Sequence, residues 1–190
     1  MTLSDLPPAE RHRKIAATFT ERVQGARDWD VPAPVAGWTA RDVVRHLVEW
    51  LPGFLAAGGD VALPKGPSAD EDPAGAWRVQ STAVQALLDD PATAQRQLVN
   101  RHIGEVPLDQ AIDRFYTSDV FMHTWDLARA LGQDPTLDPA RCERLIAGSE
   151  PYEEAMRASR QYGAKVDVPA DAPAQDRLAG FIGRDPEWRP

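Results

Sequence analysis

A chain of 190 residues can bury one ordinary hydrophobic core, so a single domain is expected over residues 1–190. Its 21 Lys+Arg against 29 Asp+Glu leave a net charge of −8 and no basic stripe, which excludes a phosphate-tracking nucleic-acid binder. One cysteine, no apolar run near the ~20 residues that span a bilayer and no signal-peptide core at the N-terminus point to a cytoplasmic protein without a membrane partner.

Ser4-Asp5 and the early prolines Pro7 and Pro8 form a helix-start signal, and Ile15, Phe19, Val23 and Ala26 recur at helical spacing to about Arg27. A loop carrying Pro32 and Pro34 leads to Gly37-Trp38-Thr39. Thr39 with Asp42 has the form of a capping box, with Asp in place of the usual Glu or Gln. The second helix then shows Val43, Leu47, Trp50 and Phe54 on one stripe, with His46 at its edge, and Pro52-Gly53 is expected to kink or end it. Residues 58–73, rich in Gly, Pro and Asp, read as a long loop and a candidate lid. A third helix is predicted over 74–88, followed by an extended crossover from Thr93 that ends at Gly104. The longest helix is predicted from about Pro107 to Leu131, closed by Gly132 as a C′ glycine. A fifth is predicted over 139–159. The remainder, 163–190, is a tail with a short helix at Ala174–Phe181 that packs along the bundle. No repeat is found. The fold class is all-α: a four-helix bundle with long crossover connections and an extra C-terminal helix.

The long helix carries the informative pattern. On a wheel of ~100° per residue, Leu108, Ile112, Phe115, Asp119, Met122, His123, Asp126 and Ala130 share one core-facing arc. Three ionisable groups thus stand where Leu or Ile is expected, and buried charge is costly unless paired, hydrogen-bonded or bound to a metal. Asp119 and His123 are spaced i, i+4 and stack on one face. With His46 from the second helix they form a candidate set of metal ligands from facing helices, leaving coordination positions open. Asp126, one turn on, is a fourth ligand or an acceptor that orients an imidazole. Trp50 marks the expected pocket. Ordinary structural roles compete with this: Asp42 and His46 form an i, i+4 pair, Asp119 has arginines to pair with, and Asp126 has Trp38 or a backbone group as donor. His12 and His102 sit in polar surroundings and read as surface residues; Cys142 reads as a packing residue.

The segments Gly37-Trp-Thr-Ala-Arg-Asp42-Val-Val-Arg-His46-Leu and Asp119-Val-Phe-Met-His123-Thr-Trp-Asp126-Leu-Ala-Arg-Ala-Leu-Gly132 resemble the DinB/YfiT-like superfamily. They are most similar to its actinobacterial branch, typified by the N-terminal domain of mycothiol-dependent maleylpyruvate isomerase. The ending from Asp171 to Trp188 is similar to that of small metal-binding members of the branch. The resemblance implies a four-helix bundle with a divalent metal on His46, Asp119 and His123. Many relatives carry Glu or His where this chain has Asp119, which is one methylene shorter than Glu; a water bridging Asp119 to the metal is the alternative to direct ligation.

The expected function is that of a divalent-metal-binding protein, a mycothiol-dependent S-transferase or isomerase-like enzyme. Its partners would be a low-molecular-weight thiol and a small electrophilic substrate. Zinc is the first choice of metal, with nickel, iron and manganese compatible. The alternatives are a metal-dependent hydrolase, and a non-catalytic binding or stress-associated protein with a degenerate site. Formation of a homodimer stays open.

Overall fold

The computed structural model describes residues 2–190. Helix α1 spans Pro8–Gln24 with Pro8 in its first turn, where the missing N–H costs nothing, and buries His12, Ile15, Ala16, Phe19 and Val23. Helix α2 spans Ala40–Gly59. Its capping box is present: the Asp42 amide donates to Thr39 Oγ1, and the Thr39 amide donates to Asp42 Oδ2 at 2.8 Å. Helix α3 spans Pro73–Asp89 and is capped by Asp72, whose carboxylate accepts from the Gly75 amide.

A fourth helical rod, 108–130, is made of three pieces. Helix α4, Leu108–Ala111, passes into π-helical turns at Ile112–Thr117 and then into α5, Ser118–Ala130. Around the bundle the neighbours run α1, α3, α2, α5 and back to α1. The core between them includes Phe19, Val43, Leu47, Leu51, Trp77, Val84, Tyr116, Val120 and Leu127. The architecture is the all-α, DinB-like bundle expected.

Several local expectations need correcting. Pro52 does not end α2; the helix runs seven residues past it to Gly59 and is closed by Asp60 at φ 50°. The buried stripe of α2 is centred on Leu47, Leu51 and Leu55, and Trp50 and Phe54 stand at its half-buried edge. The crossover after α3 is a hairpin, with β1 at Gln97–Asn100 antiparallel to β2 at Gly104–Pro107. Gly104 takes φ +77° at the turn, a conformation open to glycine at little cost. The helix predicted over 139–159 is interrupted. Helix α6, Pro139–Ser149, gives way to a 3-10 turn at Glu150–Tyr152 around Pro151 before α7 resumes at Glu153–Ala158.

Helix α8, Ala174–Phe181, lies where the sequence places it, packs on α6 and sends Leu178, Phe181 and Ile182 into the core. Both Gly132 and Gly183 end helices in the same way. Gln133 N–H bonds to the Ala128 carbonyl and Arg184 N–H to the Ala179 carbonyl, each at 2.8 Å, with the glycines at φ +64° and +87°. These are Schellman turns.

His12 is also misassigned by the polar look of its neighbours. It is fully buried, its Nδ1 lies 2.9 Å from Thr117 Oγ1, and its ring stacks on Tyr116. Burial drives its pKa down to about 4. His102 is exposed, as read. Cys142 is fully buried and its thiol is pushed up to about 12 by burial, in line with a packing role.

Candidate metal centre

The π-helical turns decide what the fourth rod presents. Such turns close i→i+5 bonds and are wider than α-turns, so every later side chain is out of phase with a 3.6-residue wheel. Phe115 and Met122, expected inside, are half-buried, whereas Tyr116, Val120 and Leu127 are fully buried. Helix α5 is central rather than amphipathic, covered on most of its circumference. Asp119 and His123 still share one side of it and meet α2 there, with Asp126 one turn on.

His46 Nε2 lies 2.8 Å from Asp119 Oδ2, and Trp50 Nε1 donates to the same oxygen at 3.0 Å. The other oxygen, Oδ1, lies 3.4 Å from His123 Nε2. One ligand atom from each of His46, Asp119 and His123 therefore falls within 4.8 Å of the others. The sequence-predicted trio is brought together, and Trp50 touches it through its indole N–H. His46 is the most open of the three, with a third of its side chain exposed, while His123 is nearly buried.

Asp126 is fully buried and supports the trio from behind. His123 Nδ1 donates to its Oδ2 at 2.8 Å. Its remaining partner is Arg184, whose Nε reaches Oδ1 at 3.1 Å and whose Nη2 reaches Oδ2 at 3.2 Å. Trp38 is not a donor to Asp126. Its ring lies face to face with His123, centroids 5.8 Å apart at 18°, and tilted over His46 at 5.3 Å. It covers both imidazoles from the loop before α2.

The electrostatics favour ionised carboxylates. Burial alone would raise the pKa of Asp119, but the neighbouring His123 and the hydrogen bonds from His46 and Trp50 outweigh it and hold the carboxyl below its ordinary range. Burial opposes ionisation of Asp126 in the same way, and Arg184 and His123 more than reverse it. Asp42, the other acid one turn from His46, is occupied by Thr39 and by an ion pair with Arg45.

The connection of residues 60–72 is held at the start of α2, where Arg41 donates to the carbonyls of Ala69 and Asp70 and Arg45 pairs with Asp70. At its other end Arg96 donates to the Asp60 carbonyl, and among the described residues no hydrogen bond joins the connection to Trp50. An open groove of about 420 Å³ lies between α1 and α3 and is lined by Arg13, Ala16, Thr20, Ser81 and Asp89. It is separate from the His46 cluster, and the chemistry of the donor set carries more weight than the size of that groove.

Pattern reasoning missed Arg184 at this cluster and gave Trp38 the wrong contact, a bond to Asp126 in place of the ring packing on His46 and His123. The signal for Arg184 was a cation directly after the helix-ending Gly183 in an otherwise apolar segment. For Trp38 it was an aromatic residue one position before an N-cap.

A bundle of four long helices with a His–Asp–His cluster between its second and fourth members defines a DinB-like helical protein. The family model for the mycothiol maleylpyruvate isomerase N-terminal domain matches residues 11–128, and the chain belongs to that family. Two Mycobacterium tuberculosis proteins are similar to it along nearly their whole length. They are uncharacterized protein MT0763 of strain CDC 1551 / Oshkosh and uncharacterized protein Rv0738 of strain ATCC 25618 / H37Rv. Each is 29% identical over 183 residues, covering 94% of this chain and 98% of the relative. No solved structure matches the chain. Among the described residues no helix is long and apolar enough to cross a membrane.

Proposed function

We propose that His46, Asp119 and His123 hold a divalent cation, zinc in first place, and that the chain uses it with a low-molecular-weight thiol of the mycothiol kind in S-transfer or isomerisation of a small electrophile. The observation that carries this is the contact between His123 Nε2 and Asp119 Oδ1. In the neutral imidazole whose Nδ1 proton is committed to Asp126, Nε2 carries a lone pair, and it faces a carboxylate oxygen. Two acceptors facing each other need a positive charge between them. A proton on Nε2 would answer for His123 alone. The second imidazole, whose Nε2 meets the same carboxylate, is surplus to that arrangement and completes a three-ligand set of the type divalent metals take.

The cation would supply a coordination position at which a thiol is stabilised as thiolate. The protein's own groups do the rest. Trp50 fixes Asp119 by its indole N–H, so that Oδ1 turns towards His123. Trp38 shields the buried imidazole from water. His46, at the open edge of α2, leaves the approach for substrate on its exposed side. Membership of a mycothiol-related family supports the choice of thiol.

The test is metal analysis of protein purified without added metal, followed by a thiol-conjugation assay with a reactive electrophile, with and without chelator. About one equivalent of bound metal and chelator-sensitive conjugation are expected. Thiol-independent hydrolysis, or a protein that takes up no divalent metal, would overturn the proposal.

A further inference from the structure

The residues that meet at the candidate centre come from α2 and α5, but the chain of polar contacts does not stop there. Arg184 lies 58 positions after Asp126 in sequence, beyond the 11–128 segment that the family model covers. Its guanidinium is almost buried and meets Asp126 through two parallel N–H···O bonds, while Nη1 donates to the Ile182 carbonyl. Such paired geometry fixes a carboxylate in its plane, which a single charge does not. Arg184 is itself aimed by the turn that ends α8. Gly183 at φ +87° reverses the chain, and the Arg184 amide closes on the Ala179 carbonyl. The side chain therefore leaves a rigid corner of the tail and points at the back of His123.

We propose that Arg184 is a positioning residue of the metal centre: by locking Asp126 it holds His123 as the Nδ1–H tautomer with Nε2 turned to the cation, so the C-terminal tail is a working part of the site. This rests on the metal-binding proposal above. Without the guanidinium, Asp126 loses two of its three hydrogen bonds and rotates away from Nδ1. The imidazole then loses the contact that selects its tautomer. Loss of such outer partners of a ligating histidine costs about 10–100-fold in metal affinity.

The experiment compares wild type, Arg184→Met and Arg184→Lys. Cobalt(II) and zinc affinities are read by absorbance titration and competition. The tautomer of His123 in the metal-free protein is read by long-range proton–nitrogen correlation at about pH 8.5, above the ordinary imidazole range. Wild type should show His123 with its proton on Nδ1. Both variants should show mixed tautomers and a 10–100-fold affinity loss, the lysine variant the smaller one. Arg177→Met, which removes the tail's contacts with Ala172 and Glu143, should leave affinity and tautomer unchanged. Combining Arg184→Met with Asp126→Asn should cost no more than Asp126→Asn alone, since Arg184 acts through that carboxylate. Additive losses, or a tautomer unmoved in both Arg184 variants, would overturn the inference. If wild type bound neither metal, the metal proposal would fall, and the tautomer comparison alone would still decide whether Arg184 positions His123.

Discussion

His123 and Asp119 stand one helical turn apart on α5 with Nε2 and Oδ1 3.4 Å from each other, and in the neutral imidazole that donates from Nδ1 to Asp126 neither atom has a hydrogen to give. Replacing the carboxylate by its isosteric amide is a sharp probe of this contact. In Asp119→Asn the amide oxygen still accepts from His46 and Trp50, and the amide nitrogen donates to His123 Nε2. The metal-free variant should therefore melt within about 1 kcal/mol of wild type, since one acceptor–acceptor contact becomes a hydrogen bond of that order. Zinc at a hundred times its Kd should stabilise wild type by about 2.7 kcal/mol and the variant far less. Thermal melts with chelator and with zinc measure both. A variant that is strongly destabilised without metal, beside a wild type indifferent to every divalent ion, would mark Asp119 as a purely structural partner of the two imidazoles.

His12 sets a pH dependence that has nothing to do with the metal ligands. Burial lowers its pKa from 6.5 to about 4. Between those values the unfolded chain binds a proton that the folded protein refuses, so stability falls as pH drops from 6.5 and the loss is complete near 4. At 1.36 kcal/mol per pKa unit the full effect is about 3 kcal/mol. His12→Asn keeps a group able to bond Thr117 but removes the titration. The variant should lose some stability at pH 7 with the ring stacked on Tyr116, yet its denaturation midpoint should fall less steeply than wild type between pH 6.5 and 4.5. Parallel pH profiles would contradict the assignment.

How far the fold was legible depends on how local its causes are. Thr39 with Asp42, Gly132 as a helix stop and the His46 and Asp119/His123 spacings are all decided within a few residues, and each is found in place. His12 was legible in principle. It falls on the spacing of Ile15, Phe19 and Val23, but Arg11, Arg13 and Lys14 around it disguise the stripe. The π-helical turns at Ile112–Thr117 leave no such trace, because their cost is borne by tertiary packing around Tyr116 and Thr117 rather than by any residue's own preference. Arg184 was illegible as a partner of Asp126, since no periodicity links residues that meet only after the tail has folded back.

Pro52 is a second test of tertiary packing over local preference. It sits inside α2 without an N–H to offer the Val48 carbonyl, and an interior proline costs about 3 kcal/mol relative to alanine. Part of this is returned by the proline's restriction of the unfolded chain, about 0.4–1 kcal/mol. Pro52→Ala should raise stability by about 2–2.6 kcal/mol in a denaturant titration, with an unchanged m-value. A loss of stability would show that the half-buried ring packs well enough to outweigh the missing hydrogen bond.

Gly132 and Gly183 close their helices by the same turn, yet alanine should be tolerated very differently at the two. At Gly132 a Cβ would meet nothing within 4 Å, so Gly132→Ala carries only the left-handed backbone penalty, about 1–2 kcal/mol. At Gly183 a Cβ would fall 2.6 Å from the Gly163 Cα, 2.7 Å from its carbonyl carbon and 2.9 Å from the Ala164 carbonyl oxygen. Those are backbone atoms, held by hydrogen bonds between Gly163 and Ile182 and between Val166 and Gly180, and they cannot swing aside as a side chain would. The steric cost adds to the same backbone penalty, so Gly183→Ala should destabilise by clearly more than Gly132→Ala. It should also displace Arg184, the next residue, from Asp126. Denaturation of the two variants gives the first comparison, and zinc affinity of the folded fraction gives the second. Equal destabilisation would show that the tail slides to accept the methyl group. A Gly183→Ala protein that binds zinc as wild type does would show that the corner aiming Arg184 is not needed to keep His123 in place.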